Sequence, residues 1–274
     1  MNAPARSIAM VGGGQMALAL TEGFCRAGLV APADIVVYDP APSACERLAS
    51  RVPGVRFATT TAAAVERAGI VFLAVKPQQA ADACRACAGS LAADATVVSI
   101  VAGIPIATLA HWLGTERVIR VMPNTPCLVG QGVAAISRGP GVPDSALERA
   151  QALLATVGSV HPVDEHLLDA VTGLSGSGPG FVALVVEALA DGGVKAGLPR
   201  ALALALAVRT VAGTGMLIEQ TGDHPAAVRD RVASPGGTTI AGLAVLEQRA
   251  TRGALIDAVV AAANRAEEMG RGPG

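Results

Sequence analysis

Aromatic side chains are nearly missing from this sequence: one Trp, one Tyr and four Phe stand among 274 residues. A core must therefore be built from Ala, Val, Leu and Ile, and the 51% hydrophobic content supplies them in quantity. With a formal net charge of only -1, the chain offers neither a basic field nor aromatic platforms for bases, which excludes nucleic acid as its main partner. Histidine is scarce too. His111, His161, His166 and His224 have no ligand spacing to one another, so no metal site is expected. His166 adjoins Glu165, but neighbouring helix residues do not face each other. The strings of several other chemistries are absent: there is no G-x-x-x-x-G-K-[ST] loop, no H-E-x-x-H and no G-x-S-x-G.

Cysteines are few: Cys25, Cys45, Cys84, Cys87 and Cys127. Cys84-Arg85-Ala86-Cys87 has the spacing of metal and redox sites, but no second pair completes a zinc set. Its surroundings read as an amphipathic helix, so packing is expected. The odd count and the lack of a secretory segment point to a reducing, cytoplasmic setting. One run, residues 201–218, is apolar enough to raise the question of a membrane span. Arg209, Thr210, Gly213 and Gly215 interrupt it, and a helix buried between subunits is expected instead.

What is present has a clear order. Ile8-Ala9-Met10-Val11 is a short apolar run, followed by Gly12-Gly13-Gly14-Gln15-Met16-Ala17 and a helix-like segment from Leu18 to Arg26. Strand, G-x-G-x-x-A turn and helix together form a dinucleotide-binding signature. Gly12 permits the tight turn, Gly14 lets backbone approach a pyrophosphate, and Ala17 lets helix and strand pack closely. The helix N-terminus offers unpaired N–H groups to the anion. Ile35-Val36-Val37-Tyr38 reads as a second strand ending at Asp39. An acidic residue there bonds the adenosine ribose and disfavours a 2′-phosphate, favouring NADH over NADPH. Beside Pro40, Asp39 also suits a simple turn, and Arg47 lies within the following helix.

Further strands are expected over residues 55–58, 70–75, 96–103, 118–122, 132–137 and 159–163, with helices over 62–68 and 146–156. The continuous apolar run Ile70-Val71-Phe72-Leu73-Ala74-Val75 suits a strand covered on both faces of a parallel sheet. It ends in Lys76-Pro77, well placed for a ligand and equally natural as a solvated strand end. Beyond residue 164 the pattern is helical only: residues 165–172, 181–196, 199–220, 225–233, 240–249 and 254–269. The small-residue stretch Ser175-Gly176-Ser177-Gly178-Pro179-Gly180-Phe181 reads as a hinge between the two parts. The expected architecture is an α/β Rossmann domain (residues 1–164) and an all-α dimerisation and substrate domain (residues 165–274), with the chemistry where they meet. Helices this apolar cannot all hide their faces within one subunit, so pairing of subunits is expected.

A second loop carries chemistry. In Ser234-Pro235-Gly236-Gly237-Thr238-Thr239, the glycine N–H groups and the threonine hydroxyls precede a helix expected to open at Ile240. That suits a carboxylate or phosphate. An ordinary capped helix needs only one of those hydroxyls.

Several strings coincide with one family. Gly12 to Ala17, Ala74-Val75-Lys76-Pro77, Arg120-Val121-Met122-Pro123-Asn124-Thr125-Pro126, Thr172-Gly173-Leu174-Ser175-Gly176-Ser177-Gly178-Pro179 and Ser234-Pro235-Gly236-Gly237-Thr238-Thr239-Ile240 occur in family order. On these the sequence resembles the pyrroline-5-carboxylate reductases, the last enzymes of proline biosynthesis. The resemblance implies reduction of 1-pyrroline-5-carboxylate to L-proline with NADPH or NADH. It implies a homodimer or a higher assembly of dimers, with a substrate site drawn from both subunits. It implies that Gly12, Gly14, Gln15, Met16, Ala74, Val75, Lys76, Pro77, Ile100, Val101 and Ala102 line the cofactor, with Thr61 near its adenosine end. Ser234, Gly236, Gly237, Thr238 and Thr239 would hold the substrate carboxylate, Glu165 would lie near the ring nitrogen, and Thr239 is the candidate donor.

Two positions depart from the family: Gly180-Phe181 stand where Ala-Tyr is usual, and Asp39 where many members have Ser, Thr, Asn or Arg. The rivals are another NAD(P)H-dependent cyclic imine reductase, a 3-hydroxyacid dehydrogenase-like enzyme, and a catalytically silent nucleotide-sensing or scaffold protein. The hydroxyacid enzymes need a lysine acid early in the second domain, whereas Lys195 comes late in its helix. A silent protein would have lost the 234–239 loop while keeping the glycine turn, and both are present.

Overall fold

The structure, a computed structural model, describes residues 7–270. The chain opens as strand β1 (Ser7–Val11), helix α1 (Gln15–Arg26), β2 (Ile35–Tyr38), α2 (Pro42–Arg51), β3 (Arg56–Phe57) and α3 (Thr61–Val65). It continues through β4 (Ala68–Leu73), α4 (Ala80–Cys87), β5 (Thr96–Ser99), α5 (Ile106–Leu113) and β6 (Val118–Pro123). Then come β7 (Gly132–Arg138), α6 (Asp144–Leu154), β8 (Gly158–Pro162) and the short α7 (Leu168–Val171). The strands form one sheet in the order β3-β2-β1-β4-β5-β6-β7-β8. The pairs are parallel except β6 with β7, which is antiparallel. The strand order reverses between β1 and β4, so the crevice for a dinucleotide lies beyond the carboxyl ends of these two strands.

Alternation along the strands builds two apolar layers. Ile8 and Met10, with Ile70, Phe72 and Ile119, face α1, α2 and α6. Ala9, Val11, Val71 and Leu73 face the other way, toward α3, α4 and α5. The two rings that meet in this aromatic-poor core, Phe24 and Phe72, lie 5.3 Å apart between centroids. Cys84 and Cys87 are buried in the second layer. Burial pushes their thiols up to about 11 and about 12, so this pair packs, as its spacing alone did not require.

Residues 177–260 form a separate compact unit, while 261–270 group with the sheet. The helices here are α8 (Gly178–Lys195), α9 (Arg200–Thr221), α10 (Pro225–Val232), α11 (Thr238–Gln248) and α12 (Thr251–Gly270). Their shared core is small: Ala190, Ala203 and Ala207, flanked by Val186 and Val194. Leu184 remains 66% exposed, and Leu206, Val245, Leu246 and Ile256 are exposed with it. The runs Glu165–Lys195 and Arg200–Thr221 are long and apolar enough to cross a membrane by length and composition.

Several expectations need correction. Ala68 begins a strand instead of ending a helix, and α3 is only a turn and a half long. The strand expected over 55–58 shrinks to two residues at the sheet edge, and that over 96–103 stops at Ser99. Helix α5 was not foreseen. It starts after Pro105, which has no capping side chain, and closes on Gly114 in the left-handed region. Residues 165–172 are not one α-helix but a tight turn (Glu165–Leu167), α7 and the start of a π-helical segment (Thr172–Gly176). The stretch 175–181 does mark the junction, since the two compact units divide between Gly176 and Ser177, but its only bend is at Ser177, with the π-helical segment before it and α8 after it. Thr172 and Ser175 turn their hydroxyls onto the carbonyls of Leu168 and Val171, so these small polar residues serve the helix instead of interrupting it. A Cβ on Gly176 would lie 2.5 Å from Met122 Cε, the far end of a flexible side chain on β6, so a side chain here needs only that methionine to turn aside.

Gly132 and Gly158 face each other across β7 and β8. A Cβ on Gly158, whose φ is +156°, would lie 1.9 Å from the Gly132 carbonyl oxygen. Gly158→Ala is therefore expected to cost about 1–3 kcal/mol or more through overpacking, read as a lowered thermal unfolding midpoint; an unchanged midpoint would show that this strand pair can separate without loss.

Candidate active site

The glycine turn is built by the strands on either side of it. Gly12 N–H donates to the Tyr38 carbonyl at 2.8 Å, Ala74 N–H to Val11 at 2.8 Å, and Ile100 N–H to Leu73 at 3.1 Å. The residues just beyond β1, β2, β4 and β5 are thus held in one row. Gly12 has φ +103°, and a Cβ there would sit 2.5 Å from the Ala74 carbonyl oxygen. No other residue lets the turn lie this close to the end of β4. At Gly14 an added Cβ would meet nothing within 4 Å. Gly14 also leaves α1 without a side-chain cap, so first-turn N–H groups of α1 stay open to an anion. Ala17 is fully buried. These features fit a dinucleotide pyrophosphate.

The other expected cofactor residues fall as follows. Gln15 is exposed, Met16 half-buried, and Val101 buried between the half-buried Ile100 and Ala102. Val75 and Pro77 are half-buried, while Lys76 is exposed at the head of a turn over Pro77–Gln79. Thr61 is buried in the first turn of α3, beyond the carboxyl end of β3, and Thr60 caps that helix. Asp39 does more than end β2. Its Oδ2 accepts from Gly13 N–H at 2.7 Å and its Oδ1 from Ala41 N–H at 2.8 Å.

A buried charge was missed. Arg120, on β6, is only 5% exposed. Its Nη1 lies 3.4 Å from Glu165 Oε1 and its Nη2 3.2 Å from Asp169 Oδ1. Glu165 Oε1 also accepts Ile106 N–H at 2.6 Å, so a carboxylate from far along the chain caps α5. The signal was in the sequence: a lone arginine inside the apolar run Val118-Ile119-Arg120-Val121-Met122 must be buried and paired.

In the 234–239 loop, Gly236 has φ +66°. Gly237 N–H is spent on the Ser234 carbonyl at 3.0 Å, so it is not the free donor expected. A Cβ on Gly237 would lie 2.2 Å from Ser234 Oγ and 3.1 Å from the Ser234 carbonyl oxygen, so a side chain here requires the Ser234 hydroxyl to rotate away. Helix α11 begins two residues earlier than expected, at Thr238, again without a side-chain cap. Its open donors are therefore first-turn N–H groups of α11, beside the half-buried Thr239.

A doubly wound sheet with an uncapped glycine turn at its switch point, joined to a helical second part, is the build of a nicotinamide-dependent oxidoreductase. The family pattern described as "NADP oxidoreductase coenzyme F420-dependent" matches residues 7–103, and "Pyrroline-5-carboxylate reductase dimerisation" matches residues 165–269. A pyrroline-5-carboxylate reductase of Synechocystis sp. is 44% identical, over 96% of this chain and 98% of its own length. The solved structure of such a reductase from Coxiella burnetii has a TM-score of 0.89 at 30% identity, covering 97% of this chain and 98% of that one. The Plasmodium falciparum enzyme, solved with NADP bound, has a TM-score of 0.88 at 28% identity, covering 98% of this chain and 100% of that one. The chain belongs to the pyrroline-5-carboxylate reductase family, the NAD(P)H-dependent oxidoreductases of proline biosynthesis. The hydroxyacid dehydrogenase alternative also fails on its lysine, since Lys195 is the last residue of α8.

Removing Arg120 would leave Glu165 and Asp169 facing each other, 34% and 29% exposed. Arg120→Ala is expected to destabilise near the low end of the roughly 3–5 kcal/mol seen for broken buried pairs, because both carboxylates reach solvent. Denaturant unfolding of the purified protein checks this; a cost under about 1 kcal/mol would make the cluster a surface pair.

Proposed function

We propose that the chain uses two uncapped helix starts, one for each anionic reactant. Residues 1–164 serve as the dinucleotide-binding domain and residues 165–274 as the dimerisation and substrate domain. The observation that carries this reading is the open face at Gly14, above a turn packed on the end of β4. NADPH or NADH, when bound, supplies the hydride. The start of α1 holds the pyrophosphate, Ala74, Val75, Lys76 and Pro77 with Ile100, Val101 and Ala102 border the nicotinamide space, and Thr61 borders the adenosine end.

The substrate is a cyclic imine bearing a carboxylate, and it accepts hydride better when its nitrogen is protonated. First-turn N–H groups of α11, with the hydroxyls of Ser234, Thr238 and Thr239, fix the carboxylate. Fixing both reactants supplies much of the rate enhancement such a reaction needs. Thr239 is the donor we assign to the carboxylate or ring nitrogen. For Glu165 we revise the expected role beside the ring nitrogen. Its Oε1 is committed to Ile106 N–H and Arg120, so we assign it as a positioning residue that holds the start of α5, after the Ile100–Ala102 turn. The iminium then arrives already protonated from solvent, and one hydride and one proton account for the product amine.

The family match to a dimerisation domain gives the exposed apolar helices their occupant, a second copy of this chain. We read the two membrane-length runs in that light, and not as spans. Higher assemblies of such dimers, and a cytoplasmic location in keeping with five free cysteines, complete the proposal.

Oxidation of NADH and of NADPH, measured side by side with 1-pyrroline-5-carboxylate, tests the activity; no substrate-dependent oxidation of either would sink it. Thr239→Ala removes one hydrogen bond to a charged group, about 1.5 kcal/mol, and is expected to raise KM roughly tenfold; an unchanged KM takes Thr239 out of the site. Mass in solution is expected to be that of a dimer or a multiple of it, and an active monomer contradicts the paired helices.

A further inference from the structure

Helix α12 starts in the second compact unit and ends in the first, where residues 261–270 group with the sheet. Ala266 is its buried residue. Ala266, Met269 and Gly270 follow one another at i, i+3 and i+4, so they share one face of the helix. That face meets Gly103. A Cβ on Gly103 would lie 3.4 Å from Gly270 N, 3.5 Å from the Ala266 carbonyl oxygen and 3.5 Å from Met269 Cβ. Gly103 is buried, with φ +78°, in the turn that follows β5. The start of that turn is fastened to strands: Ile100 N–H donates to the Leu73 carbonyl at 3.1 Å and Val101 N–H to Ser99 Oγ at 3.3 Å. One end of the turn is thus held by hydrogen bonds, and the other rests against the last turn of α12.

Gly270 has no left-handed φ that would require glycine. Its reason is space. A Cβ on it would overlap the Gly103 carbonyl oxygen, and a backbone oxygen does not rotate aside as a side chain does. Any side chain at position 270 must therefore push either the helix end or the turn away. We infer that Gly270 is a positioning residue for hydride transfer: its bare backbone seats the end of α12 on Gly103 and so fixes the Ile100–Ala102 turn. This rests on the placement of the nicotinamide beside that turn, proposed above. Hydride passes only when the ring and the imine carbon are held at close approach. A displaced turn then slows the transfer, while the pyrophosphate site at α1 and the carboxylate site at α11 keep their donors.

The test is Gly270→Ala in the full-length protein, read by single-turnover oxidation of NADH or NADPH, whichever the wild type uses, at saturating 1-pyrroline-5-carboxylate. Hydride transfer is expected to slow about tenfold, with the steady-state imine KM and the inhibition constant of ADP-ribose (its 2′-phosphate where NADPH is used) each within about twofold of wild type. ADP-ribose carries the adenosine and pyrophosphate but no nicotinamide, so it reads the rest of the coenzyme site. A packing role alone predicts no such split, because alanine favours helix over glycine and only the unfolding midpoint would move. Ala266→Gly loosens the same contact instead of crowding it. It is expected to give the same split, and it stands in if Gly270→Ala does not fold. An unchanged rate in a folded variant, a weakening of ADP-ribose in step with the rate, or a loss of rate that follows dissociation of the dimer overturns the inference and leaves the proposed reaction standing. Oxidation of neither coenzyme by wild type overturns both.

Discussion

A guanidinium held in a sheet away from water is the constraint around which the middle of this molecule closes. Arg120 sits on β6 among apolar neighbours, and burying its charge is tolerable only with partners of opposite sign. They come from residues 165 and 169, where the chain has left its last strand and begins its helical course. The same Glu165 oxygen takes the first N–H of α5. One cluster therefore fastens a strand, the start of a helix after the β5 turn, and the entry into the helical part. Of these, the start of α5 follows the Ile100–Ala102 turn, so the charge pairing bears on one border of the proposed nicotinamide space.

The two compact units solve the problem of apolar surface differently. The sheet covers both of its faces with its own helices, and its core residues are almost fully buried. The helices of the second unit share only a few alanines and valines as a core. Their leucines point outward, which a soluble chain sustains when a second copy covers them. Stability of this part is then inseparable from association. The scarcity of aromatics fits the arrangement, since long helices carrying Ala, Gly and Leu can approach a partner closely over an extended face.

Much of this could be read from the residues. Strands β1, β2 and β4, the glycine turn and the order of the helices from α8 onward followed from period and punctuation. So did the packing role of Cys84 and Cys87. The misreadings share one cause. Ser175 to Gly180 is built of Ser, Gly and Pro, yet its backbone is helical on both sides of a single bend at Ser177, and Ser175 bonds back to Val171. Helix α5 carries no local start signal, because its cap is 59 positions away. Gly237 looked like a free donor and is instead tied to Ser234.

The sequence by itself determined the doubly wound half, the position of the dinucleotide turn, the helical second half and the family. These depend on periodicity and on glycine and proline chemistry, which act over a few residues. Tertiary structure alone decided that β7 runs antiparallel to β6, that Glu165 caps α5 while pairing with Arg120, and that Asp39 is locked to Gly13. Each of these is a choice of hydrogen-bonding partner between segments distant along the chain. A backbone N–H or a buried charge takes whichever acceptor the packing brings to it, and no local pattern names that acceptor in advance.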